Sequence, residues 1–279
     1  MAEIRFTKMH GCGNDFIFID CREREIEGLG QIARRLCDRR FGIGADQLLT
    51  IHPSMRADFK IEIYNADGSR GEMCGNGIRC VGKYVYDHGI LRKDTLRVAT
   101  DAGIKVLRLH VGDGRVQAVT VDMGEPVLDG PRIPVAAEGQ VINAPLQVDG
   151  QTYRVTCVSM GNPHCVTFVP SVDGLPLPEI GPRFEYHPFF PKGVNTEFVQ
   201  VVGPNELRMR VWERGSGETA ACGTGACAVL VAAALNGKAD RHATVHLNGG
   251  DLQIEWSAAD NRVFMTGPAE EVFTGEIEV

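Results

Sequence analysis

The sequence lacks an apolar run long enough to span a bilayer, which takes about 20 residues of helix. Its longest run, ACAVLVAAAL at 226–235, falls well short of that length. The N-terminal stretch MAEIRFTKMHGCGND has neither the apolar core of a signal peptide nor the Ser/Arg-rich composition of a transit peptide. We therefore expect no membrane partner and a location in the cytoplasm.

Blocks of like charge are also missing. The net charge of −7 is spread along the chain, which argues against nucleic acid or an anionic membrane surface as a partner. Nine cysteines are an odd set in a long chain without a secretion signal, so a disulfide framework is not expected. An apolar fraction of 43% in 279 residues suffices for one large domain or two of ordinary size.

Short β-branched segments between Gly, Pro, Asn and Asp turns dominate the pattern that is present. The predicted strands are IRFTKMH, DFIFID, FKIEIYN, RVQAVTVDM, YRVTCVSM, CVTFV, LRMRVWE and VFMTG. Helical periodicity is confined to LGQIARRLCDRRFG, which Gly42 can close, and to GIRCVGKYVYDHG and GACAVLVAAALNG, which end at Gly89 and Gly237. The segment VPSVDGLPLPEIGP (169–182) is predicted to be a Pro-rich loop.

An internal repeat underlies this pattern. GEMCGNGIRC (71–80) and ETAACGTGACA (218–228) each place a cysteine before a glycine-rich turn, and the two thiols lie 148 positions apart, at 74 and 222. The same offset superimposes Gly13-Asn14 on Gly161-Asn162, Gln47 on Asn195, Tyr64 on Trp212, Asn65 on Glu213, Gly75 on Gly223, Gly77 on Gly225 and Gly89 on Gly237. This constant spacing predicts two copies of one α/β unit, related by a pseudo-two-fold axis with a ligand cleft between them.

Three interpretations other than catalysis apply to Cys74 and Cys222. Free cysteines are often buried in cores, but burial does not explain a Gly-x-Gly at a helix start, where backbone N–H groups lower a thiol pKa. The spacing to Cys80 and to Cys227 is a weak signal for zinc. GTGACA fits a dinucleotide fingerprint, but a polar loop separates it from the preceding strand, and GNGIRC lacks the third small residue.

A two-base enzyme explains both cysteines. Inverting a stereocentre by proton transfer requires one acid and one base on opposite faces of the same carbon. A thiol with an ordinary pKa of about 8.5 can serve in either role near neutrality. The two helix N-termini, at Gly75-Asn76-Gly77 and Gly223-Thr224-Gly225, can direct backbone N–H groups at the carboxylate next to the carbanion.

The residues resemble the diaminopimelate epimerase family, whose pyridoxal-independent enzymes interconvert LL- and meso-diaminopimelate in lysine and peptidoglycan precursor biosynthesis. The motifs that carry the resemblance are KMHGCGNDFIFID, GIGADQLL, YNADGSRGEMCGNGIRC, MGNPHCV, GVNTEFV and WERGSGETAACGTGACA. They cover nearly the whole chain, and the last is the most specific. Cys12 departs from the family pattern, which more often has a non-thiol residue at that position, and it raises the question of an extra oxidisable thiol.

The resemblance implies that Cys74 and Cys222 are the catalytic acid/bases and that His164 and Glu213 tune or relay their protons. The substrate-binding residues that it implies are Asn14, Gln47, Asn65, Gly75, Asn76, Asn162, Asn195, Glu213, Arg214, Gly223 and Thr224. Arg214 suits the second carboxylate of a substrate that bears an amino acid at each end. No cofactor and no metal are expected.

The fold that the resemblance implies is α/β of the α+β kind. It has two similar domains, each a mixed sheet curled around a central helix, with the active site in the interdomain cleft. The expected domains are residues 1–123, completed by a last strand at about 268–279, and residues 124–267. The expected partners are the small-molecule substrate and a second copy of the chain in a homodimer, with neither nucleic acid nor membrane.

Two alternatives remain open at the level of sequence. One is another cofactor-independent racemase, similar to proline racemase, although that family usually follows its first cysteine with Gly-His, whereas Gly75-Asn76 follows Cys74 here. The other is a non-catalytic binding protein on this fold, against which the presence of both thiols argues. Taken singly, His164 could be structural, and Glu213 with Arg214 could be a surface ion pair worth little.

Overall fold

The computed structural model describes residues 3–71 and 73–278. The chain forms two compact units. Unit 1 comprises Met1–Val121 and Gly267–Val279, and unit 2 comprises Asp122–Thr266. A domain in the strict sense can fold on its own. The domain bounds predicted from the sequence therefore stay a prediction.

The first half of the chain supplies most of unit 1. Strands β1 to β8 are Glu3–Gly11, Asn14–Asp20, Gln47–His52, Phe59–Asn65, Arg70–Gly71, Thr95–Thr100, Gly103–Gly112 and Arg115–Gly124. Helices α1 and α2 are Leu29–Leu36 and Gly75–Asp87. Strand β1 pairs antiparallel with β2, β2 parallel with β3, β3 antiparallel with β4, and β4 parallel with β6; the antiparallel β6–β7–β8 meander follows, and β5 adds to β4.

Unit 2 repeats this order of strands. After a short 3₁₀ turn at Gly130–Arg132, strands β9 to β17 are Ala144–Val148, Gln151–Ser159, Pro163–Phe168, Asn195–Gly203, Glu206–Glu213, Gly217–Thr219, His242–Leu247, Gly250–Trp256 and Val263–Gly267. Helices α3 and α4 are Leu177–Glu185 and Gly223–Leu235. The pairings β10–β11, β11–β12, β12–β13, β13–β15 and β15–β16 have the same antiparallel or parallel sense as their counterparts in unit 1. The predicted duplication of the α/β unit is therefore confirmed.

The register of the strands also repeats at the predicted offset. In unit 1, Gln47 lies opposite Phe16 on one side and Asn65 on the other. In unit 2, Asn195 lies opposite His164, which is the counterpart of Phe16. Side chains at matching sequence positions therefore occupy matching places in the two sheets.

The last strand, β18 (Glu270–Glu278), belongs to unit 1. It pairs antiparallel with β1 from Glu3 to His10, with a register shift between Lys8 and Met9. The sheet of unit 1 is thus completed by the end of the chain, whereas β9 takes the corresponding place beside β10 in unit 2.

Each sheet curls around one helix. Helix α2 packs against β1, β2, β7 and β18, and helix α4 packs against the paired strands β10–β11–β12 and β15–β16. Helix α4 carries apolar residues on every side, and Ala226 to Ala233 are all buried, which confirms the prediction of a central helix enclosed by the sheet. Within the part of the chain that the structure describes, no helix is both long and apolar enough to cross a membrane.

The predicted ends of the two central helices are confirmed. Gly89 and Gly237 adopt left-handed φ values of 69° and 62° just beyond α2 and α4, as expected of glycine after a helix C-terminus. The end predicted for α1 is wrong, because the helix stops at Leu36 and not at Gly42. The Asp38 carboxylate there accepts the N–H groups of Arg40 and Phe41 and builds a separate turn.

The Pro-rich loop predicted at 169–182 is wrong in its second half, where α3 begins at Leu177. Proline is tolerated in the first turn of a helix because the N–H that it lacks has no partner there, and this is where Pro178 lies. Leu177 and Phe184 are completely buried and hold the helix against the sheet. Packing thus overrides the poor helix propensity of this segment.

Candidate active site

Both thiols of the repeat cap a helix. Cys74 precedes α2 in an extended conformation, and its Sγ accepts a hydrogen bond from Gly77 N–H at 3.4 Å. Cys222 precedes α4 in the same conformation and accepts from Gly225 N–H at 3.4 Å. The N–H groups of a first helical turn have no partner within the helix, so each thiol lies at a cluster of donors, as predicted.

The surroundings of Cys74 are amides. Its thiol donates to Asn14 Oδ1 at 3.5 Å, and Asn76 Nδ2 donates to the same oxygen at 3.3 Å. Asn14 in turn donates from Nδ2 to Asp46 Oδ2 at 2.7 Å. The Asn14 amide is therefore fixed with its oxygen facing the thiol turn.

Two further candidates lie at the same edge of the unit 1 sheet. Gln47 begins β3 and Asn65 ends the antiparallel β4, and Gln47 Nε2 donates to Asn65 Oδ1 at 2.8 Å. Asn65 Nδ2 donates to Ser69 Oγ at 3.0 Å. The Gln47 Oε1 atom is buried and has no hydrogen-bond partner among the described residues. A buried acceptor of this kind is costly unless a ligand satisfies it.

The surroundings of Cys222 are acidic. Burial raises the pKa of the Cys222 thiol well above its ordinary value, and the negative charges of Glu213 and Glu197 raise it further. Burial likewise raises the pKa of the Glu213 carboxyl, against hydrogen bonds from Thr219 and Cys222. The thiol also contacts Thr224 Oγ1 at 3.5 Å. These contacts favour a neutral Cys222 thiol that donates toward the Glu213 carboxylate.

His164 lies on β11 in a buried hydrogen-bonded chain. Its Nδ1 lies 2.7 Å from Glu197 Oε1, and its Nε2 lies 3.0 Å from Asn162 Oδ1. The side chains of His164 and Glu197 are both 0% exposed. Glu197 was not predicted from the sequence. Only the repeat distinguishes Glu197 in the sequence, because the offset of 148 aligns this charged residue with the apolar Leu49.

Asn195 and Arg214 are linked through the backbone. The buried Asn195 amide donates to Pro163 O at 2.9 Å and accepts from Arg214 N–H at 2.9 Å. The exposed Arg214 side chain donates from Nη1 to Lys192 O at 3.0 Å. Asn195 therefore fixes the turn that carries Glu213 and Arg214.

A second buried carboxylate, Glu185 at the end of α3, holds the same turn. It accepts from Trp212 Nε1 at 2.7 Å and from Gly215 N–H at 2.8 Å. The sequence pattern does not predict this contact, because the Pro-rich stretch before Glu185 is typical of a loop. Glu185 thus helps to position Arg214, although it lies outside the sequence motif that contains Arg214.

Each unit gathers its own share of the predicted residues around its helix N-terminus. Unit 1 brings together Cys74, Gly75, Asn76, Asn14, Gln47 and Asn65. Unit 2 brings together Cys222, Gly223, Thr224, Glu213, Arg214, His164, Asn162 and Asn195. Over residues 3–71 and 73–278, no group of three or more His, Cys, Asp or Glu side chains is placed to hold a metal ion.

Comparison with known proteins assigns the family. The model of the family described as diaminopimelate epimerase matches residues 6–128 and 156–272, most of the chain. The chain belongs to the diaminopimelate epimerase family. Among its relatives, the diaminopimelate epimerase of Acetivibrio thermocellus is 57% identical over 277 residues, with 99% of each chain covered. That of Methanococcus maripaludis is 53% identical over 277 residues, with 99% of this chain and 100% of the relative covered.

Solved structures with this fold include more distant proteins. A phenazine biosynthesis protein of the PhzF family from Bacillus anthracis superimposes with a TM-score of 0.71 at 14% identity, with 100% of both chains covered. A hydroxyproline epimerase from Agrobacterium vitis gives a TM-score of 0.71 at 15% identity, covering 99% of this chain and 92% of that one. The predicted α+β fold with two similar sheet-rich domains is thus confirmed for this member of the diaminopimelate epimerase family.

Proposed function

We propose that the chain inverts one α-carbon of LL-2,6-diaminopimelate to give meso-diaminopimelate. The observation that carries the proposal is the pair of helix-capping thiols, Cys74 and Cys222, in a chain that belongs to the diaminopimelate epimerase family. A cytoplasmic role in supplying lysine and peptidoglycan precursors belongs to the same proposal.

The proposed chemistry is a two-base inversion. The thiolate of one cysteine takes the α-proton, so that the C–H bond breaks and an S–H bond forms. The thiol of the other cysteine gives its proton to the opposite face of the same carbon and becomes the thiolate. When Cys222 acts as the base, the neighbouring Glu213 carboxylate can receive the proton of the Cys222 thiol. The reverse reaction exchanges the two roles.

The carbanion has its charge delocalised into the adjacent carboxylate, and backbone donors stabilise that charge. The first-turn N–H groups at Gly75-Asn76 and Gly223-Thr224 are the proposed donors. The remaining proposed substrate contacts are Asn14, Gln47, Asn65, Asn162, Asn195, Glu213 and Arg214. These groups supply the acid, the base and the charge stabilisation, so the proposed reaction uses neither cofactor nor metal.

Replacing each cysteine tests the mechanism. In Cys74→Ala and Cys222→Ala, epimerisation should fall by at least about 100-fold, because general acid–base groups contribute about that much or more. Each variant should still exchange the α-hydrogen of one stereoisomer with deuterated water, and the two variants should prefer opposite stereoisomers. Both activities are followed by NMR of diaminopimelate without added cofactor.

The buried Cys80 provides a control thiol for this experiment. It is 0% exposed within α2, and burial raises its pKa, so Cys80→Ala should keep epimerisation close to the wild-type rate. One inactive cysteine variant beside one nearly normal variant would point to a single base and would falsify the mechanism.

We further propose that two copies of the chain pair through β18. Every described residue of this strand is exposed or half-buried, and Val272 and Phe273 are 55% and 46% exposed. Long exposed strands with apolar residues readily pair with another strand, and two-fold dimers are the commonest way in which identical chains do so. A second copy is therefore the occupant that this strand fits.

Light scattering during size-exclusion chromatography tests the dimer. Val272→Asp places a charge on the exposed strand and should convert the dimer into a monomer at micromolar concentration. Val202→Asp, at a 52% exposed valine of β12, is the matched control and should leave the dimer intact. A wild-type monomer, or a Val272→Asp dimer, contradicts this proposal.

A further inference from the structure

The two thiol turns are backed by different side chains. A Cβ built on Gly77 would lie 2.9 Å from Leu49 Cδ2 and 3.3 Å from Phe16 Cε1. A Cβ built on the equivalent Gly225 would lie 2.7 Å from Glu197 Oε1. Behind the Cys74 turn the unit 1 sheet is therefore apolar, whereas a carboxylate lies behind the Cys222 turn.

The offset of 148 makes this a matched exchange of two side chains. Leu49 aligns with Glu197, and Phe16 aligns with His164. The strands that carry each pair run parallel and have the same register in both units. The same two structural positions thus hold an apolar pair in unit 1 and a histidine–carboxylate pair in unit 2.

The polar pair does not owe its place to packing. Glu197 and His164 are fully buried, and the Glu197 Oε2 atom has no hydrogen-bond partner within the described ranges. A buried polar atom without a partner destabilises the fold, and the Leu49 and Phe16 pair avoids this cost. The same fold is built in unit 1 without these polar groups, so they call for an explanation beyond stability.

The pair holds one asparagine in a defined orientation. A ring that donates from both nitrogens satisfies Glu197 Oε1 on one side and Asn162 Oδ1 on the other. In unit 1 the equivalent Asn14 is held by its nitrogen, which donates to Asp46. The two equivalent amides are therefore fixed in opposite senses, Asn14 through its NH2 group and Asn162 through its oxygen.

We propose that Glu197 is a positioning residue, which anchors His164 at Nδ1 so that the ring holds the Asn162 oxygen and leaves the Asn162 NH2 group to donate to substrate. This role rests on the proposed function, in which Asn162 binds diaminopimelate. The substrate centre carries an acceptor carboxylate and a donor ammonium group, and two amides fixed in opposite senses offer an NH2 donor to the first and an oxygen acceptor to the second.

The titratable groups around this pair come from three strands and from the start of α4, where burial and then the charges of Glu213 and Glu197 raise the pKa of the Cys222 thiol. Glu197 is on β12, Glu213 on β13, and Cys165 follows His164 on β11. The charge of His164 lowers the pKa of Glu213, whereas that of Glu197 raises it, although burial remains the main influence. Glu197 also raises the pKa of Cys165, where burial and Cys157 have the larger effects.

Substitutions at Glu197 and its neighbour test the proposal. Glu197→Leu introduces the residue that unit 1 has at this position, and it should raise KM for diaminopimelate by about 10- to 100-fold, the value of a hydrogen bond to a charged group. The value of kcat should change less. Glu197→Gln keeps an acceptor for Nδ1–H and should bring KM back to within about 3-fold of wild type.

NMR of ¹⁵N-labelled histidine detects the hydrogen bond between His164 Nδ1 and Glu197 directly, and this measurement does not depend on activity. The His164 signals are identified by their absence from His164→Phe. In the wild type we expect an Nδ1–H signal shifted by its hydrogen bond to Glu197, and in Glu197→Leu we expect this hydrogen-bonded signal to be lost. Thr196→Val is the matched control: it is a buried neighbour on β12 whose hydroxyl has no hydrogen-bond partner among the described residues, and it should change neither KM nor the His164 signals.

The outcomes separate the two proposals. If the wild type does not epimerise diaminopimelate, the proposed function fails, and the histidine spectra alone decide whether Glu197 anchors His164. If the wild type is active but Glu197→Leu keeps its KM or its His164 spectrum, the positioning role is wrong. Should Glu197→Leu not fold, Glu197→Leu/His164→Phe copies the unit 1 pair and should fold with the same rise in KM; a wild-type KM in that variant overturns the proposal.

Discussion

At the scale of the residue, like positions in the two units have unlike surroundings. Cys74 and Cys222 share their backbone conformation and the N–H group that each accepts, yet amides surround Cys74 and carboxylates lie near Cys222. Burial and negative charge keep a proton on Cys222, since both disfavour the thiolate. The asymmetry that the proposed reaction requires therefore arises from neighbouring side chains and not from the cysteines.

Asp15 offers a test of stability at this scale. It pairs with Lys8 at 2.6 Å and with Arg39 at 2.7 Å. Burial alone would raise its pKa, but the hydrogen bonds and charges of Arg39 and Lys8 prevail and lower it from 3.8 to about 2. A folded-state pKa below the unfolded value stabilises the fold above about pH 3.8, and this stabilisation is lost as the pH falls toward 2.

We therefore expect Asp15→Asn to lower the free energy of unfolding at pH 7 by about 2 kcal/mol or more, because Lys8 also loses its buried counterion. Urea unfolding at pH 7 and at pH 3 should show a smaller difference from wild type at pH 3. Asp113→Asn, in an exposed hairpin turn, is the control and should have little effect at either pH. A difference for Asp15→Asn that does not depend on pH would contradict the linkage.

At the scale of the element, two-residue hairpin turns define where strands begin and end. Asp113-Gly114 joins β7 to β8 and Asp149-Gly150 joins β9 to β10, all with positive φ. This is the type I′ turn, whose twist matches that of the strands. Cys12-Gly13 joins β1 to β2 in the same way, with φ values of 54° and 81°, so the residue that departs from the family pattern lies in a conformation that favours Asn or Gly.

Gly150→Ala tests the requirement for a positive φ. Its φ is 78° and a Cβ there would meet no atom within 4 Å, so any destabilisation comes from the backbone alone. We expect a loss of about 1–2 kcal/mol in the free energy of unfolding, measured by urea denaturation. Gly203→Ala in the same unit, where φ is not positive and the Cβ would lie 3.7 Å from Glu206 Cβ, should cost less than about 0.5 kcal/mol. Equal losses in the two variants would refute this account.

Much of the fold follows from the sequence because it depends on local patterns. Short β-branched segments between turn residues predict the strands, and glycines at both ends predict the two central helices. The offset of 148 predicts that the strands of the two units have matching registers. The errors arose where tertiary contacts decide. The packing of Leu177 and Phe184 makes a helix out of a Pro-rich segment, and Asp38 ends α1 early by binding backbone N–H groups.

The candidate site could be predicted only in part, for a similar reason. Motif residues such as Cys74 and Cys222 are visible in the sequence because the glycines beside them are diagnostic of a helix start. Glu197 lies in a strand-like run, and only its placement beside His164 reveals its contact. Glu185 acts through backbone N–H groups of a distant turn. Contacts between elements leave no local pattern, and so they require the structure.

At the scale of the whole molecule, unit 1 depends on both ends of the chain. Strand β18 covers β1, Ile277 packs against the core that contains Ile4 and Phe6, and Pro268 O accepts from the buried Arg79 Nε at 3.1 Å. We expect truncation after Gly267 to reduce the hydrogen-exchange protection of β1 amides by roughly 10-fold or more, because their partners are lost. Mass spectrometry of exchange measures this, with the amides of β10–β12 as the internal control, whose protection should not change. Unaltered protection of β1 would show that β18 is dispensable.

The pairing of β1 with β18 also determines when unit 1 can be completed during translation. The ribosome makes β1 before β18, and at about 5–20 residues per second the interval between them is roughly ten seconds to a minute. Unit 2, encoded in the middle, has all of its strands before unit 1 does. During that interval Ile4 and Phe6, which the finished sheet buries, remain uncovered on the nascent chain. Unit 1 therefore begins before unit 2 and is completed after it, and β1 is made long before its partner strand β18.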